Sequence, residues 1–242
     1  MSTTSPVFTT TYDTGGSTKP AEAVYASPER LRTDEMLSGA LGGDLNPVFI
    51  VDFLSAALMH EQCGRHLYRS IAGRTNNPVL KRRYEEFGGE TEEHVAVLME
   101  LIAGIGGEPG YVSPSARATE KMDHGALEAT FMLDGSLDLM TREMVMLDAV
   151  VVAETIDHAN WEAITKLAEQ VSDEHRQVFR QAVDRVLPQE EEHLGWATHM
   201  RSQMTMMQAT RPLVAGLASS AEHAVEWIKG LFDDDGARDR SA

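Results

Sequence analysis

The chain has 242 residues, 42% hydrophobic and 24% charged, which suits one large domain able to bury a core without covalent staples. Its 38 Asp and Glu outnumber 21 Lys and Arg for a formal net charge of −17; a surface of that sign repels phosphate backbones and anionic headgroups, so no nucleic acid and no membrane is expected among its partners. The single cysteine, Cys63, excludes an internal disulfide and a four-cysteine metal site, and fits a reducing, cytoplasmic setting; neither a signal peptide nor a transmembrane run is expected.

Residues 1–27 are rich in Ser, Thr, Gly and Pro and read as a flexible tail, because they bury too little to offset the entropy of ordering. Residues 28–210 read as the folded unit. From Pro47, Ile50, Phe53, Leu54, Ala57, Leu58, Leu67, Tyr68 and Ile71 recur at three- and four-residue intervals, the stripe of an amphipathic helix. Gly73 and Asn76-Asn77-Pro78 end it, and Pro78 opens a second helix that runs through Leu80, Tyr84, Phe87, Val95, Leu98, Leu101 and Ile102 to Gly106-Gly107. A long connection over about 108–134 carries a weaker helix near Ala116 to Leu133. A third strong helix covers about Ser136 to Gln170, and Ser172-Asp173 reads as the cap of a fourth that continues to about Met207, with Pro188 expected to kink it. Residues 211–242 read as a C-terminal amphipathic helix, Leu213 to Phe232, followed by the acidic run Asp233 to Asp235. No stretch alternates as a strand does, so the class is all-α.

The first and third helices align at an offset of 93 residues, which sets Glu61 on Glu154, Tyr68 on Trp161 and Ile71 on Ile164; the second and fourth align at 99, which sets His94 on His193. Two copies of a helical hairpin joined by a long crossover make a four-helix bundle. The polar matches carry more information than the apolar ones, because they stand where core residues are expected. Glu61 lies between Leu58 and Cys63, Glu154 follows Ala149-Val150-Val151-Val152-Ala153, and Glu190 precedes His193 by three positions on one helix face. A carboxylate in an apolar run is costly unless it is paired or bound to a metal. A Glu from each of two helices plus Glu-x-x-His from the other two is the ligand set of a di-iron or di-manganese carboxylate site, and carboxylate oxygens with imidazole nitrogens suit iron and manganese better than copper(I).

On Glu61 in HEQCGRHLYR, ETEEH ending at His94, Glu154 in VVVAETIDHANWE and EEEH ending at His193, roughly residues 47–207 resemble the ferritin-like superfamily, and within it the rubrerythrin-type members. The resemblance implies Glu61 and Glu154 as terminal ligands, Glu190 as a bridging carboxylate, and His94 and His193 as nitrogen ligands. One position departs: Thr91 stands three residues before His94 where the pattern has Glu. Glu90, four before His94, is the candidate substitute, although it is rotated about 100° from that position. A site shifted in this way, an asymmetric site, and one metal or none all remain open at this level.

The resemblance implies an iron site that reacts Fe(II) with dioxygen or hydrogen peroxide, as a ferroxidase or a peroxidase; manganese and catalase chemistry is a variant, and an oxygenase acting on a small organic substrate is a weaker one. A peroxidase would need an external electron donor, since one cysteine cannot hold an electron-relay iron centre. The alternative is a degenerate, non-catalytic bundle serving as a stress-related structural or interaction protein, with Glu61, Glu154 and Glu190 paired to arginines such as Arg65 and Arg69 or facing solvent. A homo-oligomer, at its simplest a dimer, is expected. His60, His66, His158 and His199 read as flanking residues, Asp157 as a candidate partner for a ligating histidine, Tyr68, Tyr84 and Trp161 as core aromatics that could carry a radical beside an oxidising metal, and the methionines from Met200 to Met207 as packing.

Overall fold

A computed structural model describes residues 41, 45–132 and 139–210, and these form five helices with no strand among them. They are α1 (Pro47–Arg74), α2 (Pro78–Gly104), α3 (Pro114–Ala129), α4 (Leu139–Gln170) and α5 (Asp173–Ala209). The N-terminal tail and the C-terminal helix expected from the sequence lie outside the described residues. None of the five helices is long and apolar enough to cross a membrane.

Three helices start in the same way, with a polar cap followed by proline. Asn46 Oδ1 accepts from Phe49 N, Asn77 Oδ1 accepts from Val79 N and Leu80 N, and Ser113 Oγ accepts from Ala116 N. Pro47, Pro78 and Pro114 each occupy the first turn, where a missing N–H costs nothing. At the far end of α2, Gly106 takes φ 83° and Gly107 N returns to Ile102 O at 2.8 Å, the left-handed stop that only glycine adopts readily. Helix α5 runs through Pro188 without a break in its helical span.

Helix α1 packs on α2 and α4 on α5, and the two hairpins meet through α1 against α4 and α2 against α5. Two apolar clusters form the core. One holds Ile50, Leu54, Leu98, Leu101, Trp161, Ile164, Phe179 and Val186; the other holds Leu67, Tyr68, Leu80, Tyr84, Phe87, Leu147, Val150 and Met200. Every long helix contributes to both, and α1 and α5 enter them in the opposite order from α2 and α4. Helix α2 therefore ends, and α4 begins, at opposite ends of the molecule, so the connection must travel its length. Helix α3 lies in that connection and is fixed to α1: Ser55 Oγ donates to Tyr111 O at 2.9 Å, Arg74 Nη1 donates to Thr130 O at 2.9 Å, and His60 Nδ1 meets Asp123 Oδ2 at 2.8 Å. The hairpin turn between α1 and α2 is tied to α4 by buried Glu143, which accepts from Thr75 Oγ1 and Asn76 N.

Helices α1 and α2 come close beside the aromatic cluster. A Cβ on Gly88 would lie 3.1 Å from Tyr68 Cβ, so the missing side chain is what lets the two helices approach there.

Candidate metal centre

Between the two apolar clusters each of the four long helices turns polar groups inward. Glu61 from α1, His94 from α2, Glu154 from α4, and Glu190 with His193 from α5 are each at most 2% exposed. One donor atom from each of Glu61, His94 and Glu190 lies within 4.8 Å of the others, and so do donors of Glu154, Glu190 and His193. Glu190 is common to both triads and joins them into one cluster.

Both histidines turn Nδ1 inward. His94 Nδ1 lies 2.8 Å from Glu190 Oε1 and 3.5 Å from Glu61 Oε2; His193 Nδ1 lies 3.3 Å from Glu154 Oε2 and 3.9 Å from Glu190 Oε1. Their outer nitrogens are held from outside the cluster. His94 Nε2 pairs with Gln189 Oε1 at 3.0 Å, and His193 Nε2 with Glu90 Oε2 at 2.6 Å. A carboxylate can only accept, so His193 Nε2–H donates to Glu90 and Nδ1 faces the cluster, the usual outer support of a ligating histidine.

The terminal carboxylates are supported from outside as well. Tyr68 OH donates to Glu154 Oε1 at 2.5 Å and Trp161 Nε1 to Glu61 Oε1 at 2.9 Å. Every one of these supports obeys the internal repeat: Tyr68 and Trp161 are 93 residues apart, Glu90 and Gln189 are 99 apart, and each acts on the opposite hairpin.

The inward atoms are a different case. Glu61 Oε2, Glu154 Oε2, Glu190 Oε2, His94 Nδ1 and His193 Nδ1 are buried and make no hydrogen bond. His94 Nδ1 and Glu190 Oε1 stand 2.8 Å apart as an ion pair. A buried ion-pair network offsets its desolvation only when further hydrogen bonds satisfy the remaining lone pairs and protons, and this cluster leaves five polar atoms unsatisfied at its centre. That pattern, supported outside and open inside, fits a bound cation, with carboxylate and imidazole donors that suit iron or manganese.

Electrostatics agree with the geometry. Burial pulls the His94 imidazolium down, but Glu190 and Glu61 more than offset this and hold its pKa at about 10. For His193 burial likewise acts downward, and Glu154, Glu190 and Glu90 raise it. Burial pushes Glu190 up to about 7, with His94 opposing and Glu61 and Glu154 reinforcing the rise. A divalent cation would take over the charge balance that protons on these groups otherwise supply.

Of the six residues read from the sequence, the structure brings five together and leaves Glu90 outside. Its position four before His94, rather than three, turns its carboxylate away from the centre and across to His193 on α5. Thr91, which faces inward in its place, is buried, and its Oγ1 donates to Phe87 O at 2.8 Å. The arginine pairing considered for the acids does not form: Arg65 holds Glu92 at 2.8 Å. His60 is buried, whereas His66 and His199 are exposed.

Two further polar residues stand at the edge of the cluster, and only Gln189 escaped the sequence reading. Gln189 could have been found as the repeat partner of Glu90. Asp157 stands not against a ligating histidine but 3.6 Å from His60 Nε2. It is buried with Oδ1 unpartnered, and burial, reinforced by Glu61, Glu190 and Glu154, drives its pKa well above the carboxylate range. The repeat sets it opposite Gly64, so a second acid at this level exists on α4 only.

Comparison with known proteins adds no constraint: the chain matches no family model, no curated protein and no solved structure.

Proposed function

We propose that the chain is a ferritin-like metal-binding protein, similar to the rubrerythrin type, that holds two Fe(II) ions and reacts them with dioxygen or hydrogen peroxide as a ferroxidase or peroxidase. One observation carries the reading: two buried donor triads share Glu190, and their inward atoms make no hydrogen bond. The helix order supports it, since two hairpins with a lengthwise crossover are the ferritin-like arrangement. Manganese suits the same donors.

In this reading Glu61, His94 and Glu190 would hold one ion and Glu154, His193 and Glu190 the other. Bound iron would supply Lewis acidity and a one-electron couple for the reaction with oxygen species. The chain's own residues do the rest. Glu90 and Gln189 fix the imidazole rings, Tyr68 and Trp161 fix the terminal carboxylates, and the two apolar clusters exclude bulk water above and below. Asp157, buried 3.6 Å from His60 Nε2 and with its pKa raised by burial and the carboxylates of the cluster, would be the group that delivers or receives a proton.

Thr91 favours a second reading, a degenerate bundle of the same ancestry with a structural or interaction role, because a Thr hydroxyl tied to Phe87 O gives no bridging carboxylate. Elemental analysis after anaerobic Fe(II) loading decides between them. About two irons per chain in the wild type, falling to below about one in Glu190→Gln with folding preserved by circular dichroism, is the expected result. Metal content near zero in the wild type overturns the proposal and leaves the structural role.

A further inference from the structure

Among the described residues, the outer face of the second hairpin is apolar and open. Val152 on α4 is 52% exposed, Ile156 one turn farther along is 37% exposed, and Met206 on α5 is 58% exposed. Val151, Val152, Thr198 and Met206 line a groove of about 580 Å³ between the two helices, together with Asp148 and Arg201, which pair at 2.5 Å.

The first hairpin has the same face, and there it is covered. The 93-residue offset sets Asp148, Val152 and Ile156 on Ser55, Met59 and Cys63 of α1. Ser55 is 6% exposed, Cys63 is 8% exposed, and Met59 is half-buried. The cover is the chain that follows α2. Ser55 Oγ donates to Tyr111 O and accepts from Ser113 N at 3.3 Å, Ser115 Oγ donates to Asp52 Oδ2, and Asp123 and Glu120 stand beside Cys63. Helix α3 continues along α1 as far as Arg74, which donates to Thr130 O.

The chain that follows α5 holds the corresponding place in the second copy. The 99-residue offset that aligns α2 with α5 sets α3 on residues 213–228, and with it Ala116 on Ala215, Asp123 on Glu222 and His124 on His223. Leu217, Ala221, Val225, Ile228 and Leu231 recur there at three- and four-residue intervals, the spacing that gives a helix one apolar face. Helix α5 ends at Ala209, within a turn of Met206, and Pro212 favours a reversal just beyond it. Twenty helical residues from Leu213 would span about 30 Å, enough to run back past Thr198, about 16 Å from the end of α5.

We propose that residues 213–232 pack into this groove of their own chain as the counterpart of α3, parallel to α4, with their apolar stripe against Val152 and Ile156. Tethering favours this segment over one from a second copy, because a short linker holds it at about millimolar effective concentration. Metal has no part in the packing, although the helix it clamps is the one that carries Glu154.

The repeat counterparts of Cys63 and Asp123 are Ile156 and Glu222. Under mild oxidation the full-length Ile156→Cys/Glu222→Cys protein should therefore close a disulfide within one chain, identified by peptide mapping, while buried Cys63 is spared. Ile156→Cys/Asp234→Cys, with its second site in the acidic run beyond the segment, should close about tenfold more slowly. Independently, trypsin should cut after Lys229 about tenfold faster in Val152→Asp than in the wild type, with cleavage inside α4 and α5 unchanged, since a charge in the groove releases the segment. A disulfide joining two chains would give the groove to a second copy. Closure no faster than in the Asp234 variant, equal cleavage after Lys229 in both proteins, or a rise at every site alike would leave the groove without this occupant. Each of these results overturns the packing, and none bears on the metal centre.

Discussion

Tyr68 and Trp161 occupy the same position in the two hairpins, and each donates its only polar hydrogen to the carboxylate on the opposite helix, Tyr68 to Glu154 and Trp161 to Glu61. The reciprocity holds each acid by one oxygen and leaves the other without a hydrogen bond, turned toward a histidine Nδ1.

Removing one of these donors therefore uncovers a buried carboxylate oxygen. Tyr68→Phe keeps the ring and is expected to cost about 1–3 kcal/mol in the metal-free protein, read from urea denaturation. Bound Mn(II) should restore less of the loss than it adds to the wild type. Wild-type stability in Tyr68→Phe would show that the Glu154 contact contributes nothing.

In the proposed centre Glu90 would act through His193, whose Nε2 it holds at 2.6 Å, rather than as a ligand. Glu90→Ala is expected to weaken Mn(II) affinity by about 10–100-fold, the usual effect of losing the outer partner of a ligating histidine, while metal stoichiometry stays at the wild-type value in a calorimetric titration. Glu90→Gln keeps an acceptor and should lose less. A drop in stoichiometry would instead make Glu90 a ligand.

The charged cluster sets a pH dependence. A histidine whose pKa is raised by folding binds its proton more tightly in the folded state, so its stabilisation is complete below the unfolded value of about 6.5 and is lost as pH climbs to the folded value of about 10 at His94. Glu190, raised to about 7, acts in the same sense at lower pH, losing its contribution from about 4.3 upward. The melting temperature of the metal-free chain should therefore fall between about pH 7 and 10. The increase on adding Mn(II) should grow over the same range, because the ligands shed protons to bind. A flat metal-free profile would remove the cluster's charge coupling.

Cys63 is buried, and burial with Asp123 and Glu120 nearby pushes its thiol up to about 12. Iodoacetamide at about pH 8 should leave it unmodified in the native protein and label it fully in urea, since only thiolate reacts. Rapid native labelling would mean that α1 and α3 separate there.

The all-α class, the starts of α1, α2 and α5, and the hairpin repeat were legible in the sequence because each rests on local rules: three- and four-residue apolar spacing, proline after a polar cap, and glycine past a helix end. The repeat also pointed to Glu61, His94, Glu154 and His193, polar residues matched across two apolar stripes, and the three-residue spacing to His193 added Glu190, which the repeat sets opposite Thr91. Which way a side chain turns is not a local property. Glu90 and Thr91 are neighbours on α2, and about 100° of helix rotation decides that one reaches across to His193 while the other faces the centre without a charge. Asp157 and Gln189 gain their roles only when four helices pack. No stretch of sequence brings Tyr68, Tyr84 and Trp196 together, because α1, α2 and α5 each supply one of them and only helix packing sets neighbouring rings about 6 Å apart.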